Sequence, residues 1–471
     1  MRRTRIQRGV ESLREQGARN AAFYLFCAFI ISYFVRLTAR IPVLGKLHFD
    51  FVLAGITLVA IAFAGRKVSS HPAAQTQMEP VTKRLWILLA YIIVTIPFVQ
   101  WPGSVLHNLE AFAKSLCFFF FVVATVDTTR KLRMLLVVYA ATQVWRVLEP
   151  LYMHLTSGYW GDITSLGNWE YMDRLSGSPY DIINPNGLGF VVIMTLPMLQ
   201  FLIKPDTLVR RIVWAAIACA MCYALVLSAS RSGFLALVFL CLFVIWRSKH
   251  RAAWLTVAVV GATLALALMT DLQRERYVSI YSHQAKGGQT AEERINGVFA
   301  DIRVSLRRPF FGHGLGTSRE ANANFQGHGD QLSHDLYTET AEELGYIGLV
   351  LLLALIWSFL RACWTAQQVV SATPTTDERL KFLHNVAVSL VVVVAVDLFF
   401  SFAAYGLSEP YWYFLGGLSV VTARLALKLA PATTSGGSGQ HAEAPAPPKI
   451  GGRRRVVRAP PRSAAPGMGT R

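Results

Sequence analysis

The stretch GHGDQLSHDLYTETAEELGYIGLVLLLALIW, residues 327–357, joins two kinds of sequence. Its first half carries histidines, acids and glycines, whereas its second half is almost entirely apolar. Such an apolar run predicts a helix that crosses a membrane, because lipid offers backbone groups no hydrogen-bond partner outside a helix or a closed barrel. The polar half then lies where the helix leaves the lipid. It is either an ordinary helix start or a reaction site at the membrane surface.

The rest of the chain supports a membrane protein. Its 471 residues are 53% hydrophobic and only 16% charged, and the mean hydropathy is +0.40. Long apolar segments alternate with short polar loops, so we predict an all-α polytopic membrane protein with about twelve transmembrane helices. These segments lie near residues 21–36, 48–65, 85–101, 105–126, 130–154, 187–203, 208–229, 232–246, 251–270, 336–360, 382–403 and 410–429.

The net charge is +18, and the distribution of the basic residues along the chain indicates the membrane topology. Basic clusters occupy alternate loops and both termini, whereas the intervening loops hold little positive charge. This positive-inside pattern predicts that both termini are cytoplasmic, and it argues against nucleic-acid binding. Arg36, Arg40 and Lys46, in the first external loop, are exceptions to the pattern.

The chain divides into three parts. Residues 1–20 form a basic cytoplasmic arm, residues 21–430 the transmembrane domain, and residues 431–471 a tail rich in Gly, Pro, Ser and Ala that we predict to be disordered and cytoplasmic. Two external loops, 155–186 and 271–333, are longer than a simple connection requires. The second contains AEERINGVFADIRVSLRRP at 291–309, whose apolar spacing predicts a helix.

Four stretches in a fixed order resemble the O-antigen ligase and polymerase superfamily, the membrane enzymes that transfer undecaprenyl-linked glycans. The family's pattern is a PN pair opening a span, an SR(G/S)G turn, an Arg before a P-x-x-G-x-G turn, and H-N followed by E-x-G. Here the matching stretches are RLSGSPYDIINPNGLGF (174–190), SASRSG (228–233), RINGVFADIRVSLRRPFFGHGLG (294–316) and SHDLYTETAEELGYIG (333–348). One departure is Asp335, where the family usually has Asn.

The resemblance implies a fold similar to the GT-C-type glycosyltransferase architecture. It also implies an undecaprenyl-diphosphate-linked glycan donor, a glycan or lipid-glycan acceptor, and an active site on the periplasmic face of the bacterial inner membrane. It does not separate a ligase from a polymerase or from a protein oligosaccharyltransferase.

Arg231 and Arg294 match the family's functional arginines, and His334 matches its histidine. Guanidinium groups stay charged and hold phosphate oxygens bidentately, so we expect both arginines to bind the diphosphate. Histidine titrates near neutrality, so we expect His334 to be the general base that deprotonates the acceptor hydroxyl. As alternatives, Arg231 is a flanking charge and His334 an ordinary residue at a helix start, where Asp335 either caps the helix or orients the imidazole.

Several residues have supporting roles in this hypothesis. Glu343 matches the E-x-G glutamate, and because a carboxylate in lipid is costly we expect it to face the protein and pair with a cation. Asn184, Pro185 and Asn186 suit a helix start, and Asn186 helps to shape the site. Arg174 is a third candidate for contact with phosphate or sugar.

Lys114 and Arg146 lie within predicted spans, where a cation is by default a functional candidate. Pairing with the nearby acids Glu110 and Glu149 is the structural alternative.

We predict a reaction without metal or cofactor. The chain lacks an Asp-x-Asp pair, and no zinc motif fits the spacing of His313, His328, Asp330, His334 and Asp335. A transporter or flippase of the same lipid-linked glycan is the main alternative function. A carrier, however, places ionisable groups near the bilayer midplane rather than at the external end. A purely structural membrane subunit would leave the motif set unexplained.

Overall fold

The computed structural model describes residues 2–65, 79–167, 170–280, 289–326, 333–373, 377–404 and 406–430. Helices dominate these residues. In chain order they are α1 (Arg2–Val35), α2 (Leu37–Arg40), α3 (Pro42–Lys46), α4 (Phe49–Gly65), α5 (Pro80–Thr95), α6 (Pro102–Thr125), α7 (Thr129–Ser157), α8 (Pro185–Thr195), α9 (Leu199–Leu202), α10 (Leu208–Ser228), α11 (Arg231–Arg247), α12 (Arg251–Leu268), α13 (Asp271–Val278), α14 (Gln289–Ser305), α15 (Ser318–Gln326), α16 (Leu336–Ala372), α17 (Glu378–Phe400) and α18 (Pro410–Leu429).

Each of the twelve predicted apolar segments is helical. Within the described residues, eight stretches are long and apolar enough to cross a membrane, so the prediction of a polytopic helical membrane protein is confirmed. The twelve-span count and the GT-C resemblance stay predictions. The eight stretches are Gln16–Val35, Pro80–Phe98, Pro102–Thr125, Pro185–Leu202, Leu208–Ser228, Arg251–Leu268, Leu336–Ala372 and Glu378–Phe400.

The loop between α7 and α8 contains a β-hairpin that the all-α prediction missed. Strands β1 (Gly161–Gly167) and β2 (Glu170–Leu175) pair antiparallel, with Asp162 opposite Arg174. The strand was not visible in the sequence because the buried face of β2 carries a charged residue, Arg174, two positions after Met172. A buried sheet face is recognised in sequence by apolar residues at every second position, and here a charged residue interrupts that pattern.

The second long loop is partly helical, as predicted. The helix expected within 291–309 is α14, which ends at Ser305, shortly before Pro309. The helices α13 and α15 flank it in sequence, and α14 packs on α16. The predicted disordered tail, 431–471, lies outside the described residues, and the cytoplasmic location of the arm at 1–20 stays a prediction.

The glycine motifs join the end of this loop to α16. The N–H of His313 donates to the carbonyl of Glu342 (2.8 Å), and the N–H of Tyr346 donates to that of Pro309 (2.8 Å). Gly345 has a φ of 72°, which kinks α16, and a Cβ there would lie 2.3 Å from the Phe310 carbonyl oxygen. Glycine is therefore required at this kink, where the sequence suggested only close helix packing.

Candidate functional site

A cavity of about 280 Å³ lies where α8 and α16 begin, and we call it the site cavity. Its lining includes Asn186, Arg294 and His334. Arg36 and Arg146 also line it. Three of the residues predicted for the site therefore line one cavity, although they belong to three separate segments of the chain.

Four arginines from four segments form a cluster at this end of the protein. They are Arg174 on β2, Arg231 at the start of α11, Arg276 on α13 and Arg294 on α14. Burial, followed by the charges of Arg276 and Arg294, lowers the pKa of Arg174 to about 9. Arg231 is likewise within electrostatic range of Arg276 and Arg294. Such a concentration of like charge is unfavourable by itself and is relieved by an anion.

The turn between α10 and α11 anchors the cluster through its backbone. Helix α10 ends at Ser228, and Ala229 follows in the left-handed conformation with a φ of 46°. The Nε of Arg174 donates to the carbonyl of Ser228 (2.8 Å), and the Nε of Arg276 donates to that of Ala229 (3.1 Å). The carbonyls at a helix C-terminus carry partial negative charge, so they are suitable partners for guanidinium groups.

Asn186 connects this turn to the start of α8. Its Oδ1 accepts a hydrogen bond from the Nη2 of Arg174 (3.1 Å) and another from the Oγ of Ser230 (3.1 Å). Asn184 caps α8 by accepting from the N–H of Gly187 (2.8 Å), as its residue type predicted. The PN pair and the SRSG turn are therefore in direct contact.

Arg276 is the cluster member that the sequence did not single out. Its side chain is 6% exposed, and its Nη1 is buried with no hydrogen-bond partner within the part of the chain that the structure describes. A buried charged donor without a partner is unfavourable. The capping box of Thr270 and Gln273 could have revealed this residue, because it begins a helix that places Gln273 and Arg276 on one face.

His334 lies just before α16 and is open to the site cavity. Partial burial lowers its pKa below the ordinary value, and the charge of Arg294 lowers it further. The carboxylate of Asp301 opposes this change. The net result is an imidazole that is mostly neutral at pH 7, the form that accepts a proton.

Two acids near His334 have different roles. The Oδ1 of Asp335 accepts hydrogen bonds from the N–H groups of Tyr337 (2.8 Å) and Thr338 (3.0 Å), so this residue caps α16. The helix-cap alternative for Asp335 is thus confirmed. Asp301 was not predicted; it is 4% exposed and lies seven residues after Arg294, two turns along α14.

Glu343 is buried, as expected, but the prediction that it pairs with a cation was wrong. Its carboxylate accepts hydrogen bonds from the backbone N–H groups of Gly316 (2.8 Å) and Ser318 (3.4 Å), at the start of α15. One turn earlier, Oε2 of Glu339 accepts from the N–H of Gly406 (2.9 Å). These two glutamates hold loops in place by accepting hydrogen bonds from the backbone. They provide the structural support that the sequence suggested, but without the expected cation.

Three arginines at or near the site cavity are ion-paired. Arg146 donates to Asp181 from Nε (2.6 Å), and Arg36 also lies 3.8 Å from this carboxylate. Glu149, the partner that the structural alternative gave Arg146, is instead bound by both Nη atoms of Arg40. Arg146 is therefore ion-paired, as the structural alternative held, but with a different acid, and two exceptions to the positive-inside pattern are explained by local acids.

Lys114 forms the ion pair with Glu110 that was its structural alternative. It pairs with Glu110 at 2.8 Å, one helical turn away, and both side chains are exposed.

No group of three His, Cys, Asp or Glu residues suited to a metal ion occurs within the described ranges. His328 and Asp330 lie outside those ranges. Both ring nitrogens of buried His313 are engaged, Nδ1 with Oε1 of Gln100 (2.8 Å) and Nε2 with the carbonyl of Val304 (3.2 Å). His313 therefore has a structural role, and the metal-independent reaction stays a prediction.

Comparison with known protein families gives one finding. Residues 216–353 match the family described as O-antigen ligase. This segment includes Arg231, Arg276, Arg294 and His334, whereas Arg174 and Asn186 precede it. A search of curated proteins found no match.

Proposed function

Because residues 216–353 match the O-antigen ligase family, we propose that this chain transfers a glycan from undecaprenyl diphosphate to an acceptor hydroxyl. The acceptor is a glycan or a glycolipid, so the enzyme acts as a ligase or a polymerase. The proposed location is the bacterial inner membrane, with both termini cytoplasmic and the site on the periplasmic face. The alternating basic loops support this orientation.

The observation that carries the proposal is the arginine cluster next to His334. Breaking the bond between the anomeric carbon and the phosphate oxygen leaves negative charge on the departing diphosphate. Fixed guanidinium groups favour this charged leaving group more than the ground state, and so lower the barrier. Arg231, Arg276 and Arg294 are assigned to the diphosphate. The buried Nη1 of Arg276 gains a partner when such an anion binds.

Arg174 has a different proposed role from the one the sequence suggested. Its hydrogen bonds go to Ser228, Asn186, Thr164 and the Ala229 carbonyl, and its side chain is 4% exposed. These contacts occupy the guanidinium within the protein. Arg174 therefore contributes charge to the cluster and holds the hairpin against the turn at 228–233.

The neutral imidazole of His334 receives the proton of the attacking hydroxyl. The acceptor oxygen forms a bond to the anomeric carbon while the bond to the diphosphate breaks, and the proton goes to His334. A single displacement of this kind inverts the anomeric configuration. The arginines supply the positive charge that a metal would otherwise provide, so neither metal nor cofactor is part of the proposal.

The test is transfer by purified protein in proteoliposomes that contain the lipid-linked donor and a panel of acceptors. His334→Ala should reduce release of undecaprenyl diphosphate by roughly 10²- to 10⁴-fold. His107→Ala, at an exposed position on α6, is the matched control and should retain activity. Undiminished transfer by His334→Ala would overturn the assignment. Donor flipping without transfer in the wild type would favour a transporter.

A further inference from the structure

A second cavity, of about 640 Å³, lies among α5, α16 and α18. Its charged lining consists of Glu79, Arg84, Arg361 and Arg424. Arg361 follows His334 by 27 positions, which places the two residues on the order of 40 Å apart along a helix. This basic cavity is therefore remote from the site cavity and has no part in the proposed transfer.

The basic cavity has an excess of positive charge. Three arginines face one carboxylate, that of Glu79, which lies within electrostatic range of Arg424. The Nη2 of Arg424 donates to the carbonyl of Val123 (2.9 Å) at the end of α6, which orients this guanidinium. Arg84 is half-buried and has no ion pair or hydrogen bond within the described residues. The cavity is thus suited to an additional anionic group.

Aromatic residues mark this region as the membrane interface. Trp364 lines the cavity, and its ring lies 5.2 Å from that of Trp357 in an edge-to-face contact. Both rings are partly exposed, as is Trp86 on α5. Tryptophan is enriched at the level of lipid headgroups, because its ring is apolar and its N–H is polar. The arginines beside these rings therefore lie at the depth of the headgroup phosphates.

We infer that the basic cavity binds the phosphate group of an anionic phospholipid. Arg84 and Arg361 contact the phosphate oxygens from two helices, and Arg424 adds positive charge from a third. The acyl chains follow the exposed apolar surface beside Trp364 and Leu427. Clustered basic side chains at a membrane surface attract anionic headgroups in this way. The inference does not depend on the transfer reaction.

The test uses the full-length protein in nanodiscs of phosphatidylcholine with a small fraction of phosphatidylglycerol. Native mass spectrometry counts the phosphatidylglycerol molecules that remain bound after release. The double variant Arg84→Gln/Arg361→Gln should retain this lipid roughly thirtyfold more weakly than wild type, from two lost charges near the surface. The control Arg130→Gln/Arg379→Gln removes two exposed arginines from the starts of α7 and α17 and should retain the lipid normally.

Equal retention by wild type and double variant would overturn the inference. Arg361→Gln alone removes an exposed side chain, so it tests the site without risk to folding and should weaken retention partially. A second arm distinguishes a lipid headgroup from free phosphate. Wild type in lipid-free detergent is titrated with inorganic phosphate. Binding there, lost in the double variant and accompanied by no preference for phosphatidylglycerol, would reject a lipid ligand and assign the cavity to free phosphate.

Discussion

Two groups of arginines at or near the site cavity have different partners. In the first group, Arg146 is bound to Asp181 and Arg40 to Glu149, so each buried or half-buried charge has a carboxylate partner. These pairs join α7 to the loop at 176–184 and to α2. Arginine in this group holds separate segments together.

In the second group, the arginine cluster, Arg174, Arg276 and Arg294 form no ion pair with a carboxylate in the parts of the chain that the structure describes. The first two donate to backbone carbonyls, which position a guanidinium without neutralising it. The difference teaches that the arginine side chain alone does not indicate function. What distinguishes these three arginines is positive charge that the protein positions without a direct ion pair.

The largest expected effect follows from breaking the ion pair of Arg146. Arg146→Gln leaves Asp181 buried without its main partner, and loss of one member of a buried pair costs about 3–5 kcal/mol of unfolding free energy. Chemical denaturation of the purified protein in detergent measures this change. Lys114→Gln is the control, because its exposed pair with Glu110 contributes about 1 kcal/mol or less. Equal stability of Arg146→Gln and wild type would contradict a structural role for this ion pair.

A smaller effect, on the rate of transfer, tests the arginine cluster. Arg276→Gln removes a positive charge and a buried donor that we assign to the diphosphate. Because a hydrogen bond to a charged group contributes about 1.5–3 kcal/mol, the rate of transfer should fall roughly ten- to hundredfold. The assay is release of undecaprenyl diphosphate in proteoliposomes.

Arg274→Gln provides a control on the same short helix. Arg274 is exposed and pairs with Asp271 at 3.2 Å, so its loss should leave transfer unchanged. If both variants lose activity equally, the effect belongs to α13 as a whole and not to the buried guanidinium. Arg276→Lys separates charge from geometry, since lysine keeps the charge but not the bidentate donor set.

Family motifs located two residues of the site cavity, whereas pairings between distant positions were missed. Arg294 and His334 were predicted to meet, because each matches a family motif and both motifs include residues of segments predicted to be external. The pairing of Arg146 with Asp181 joins positions 35 residues apart. A local rule proposes Glu149, three positions away, because helical neighbours are visible in sequence and loop closure is not.

The hairpin and Arg276 were missed for a related physical reason. Apolar periodicity locates elements that bury hydrophobic surface, and β2 buries Arg174 instead. A motif search finds residues shared by a family, and Arg276 lies outside the four stretches that carried the resemblance. Burial of charge around an anion site depends on the folded arrangement of several loops. Only the structure placed the fourth guanidinium among the other three.

The smallest expected effect concerns the pH dependence of transfer. His334 must be neutral to accept a proton, so activity rises with pH through its pKa. Asp301 raises this pKa, and Asp301→Asn therefore lowers it. The acid limb of the profile should move to lower pH, with little change above pH 7, where His334 is already neutral. Asp271→Asn, at an exposed position, should leave the limb in place. A limb that stays fixed, or moves to higher pH, in Asp301→Asn would show that His334 is not the base or that Asp301 does not act on it.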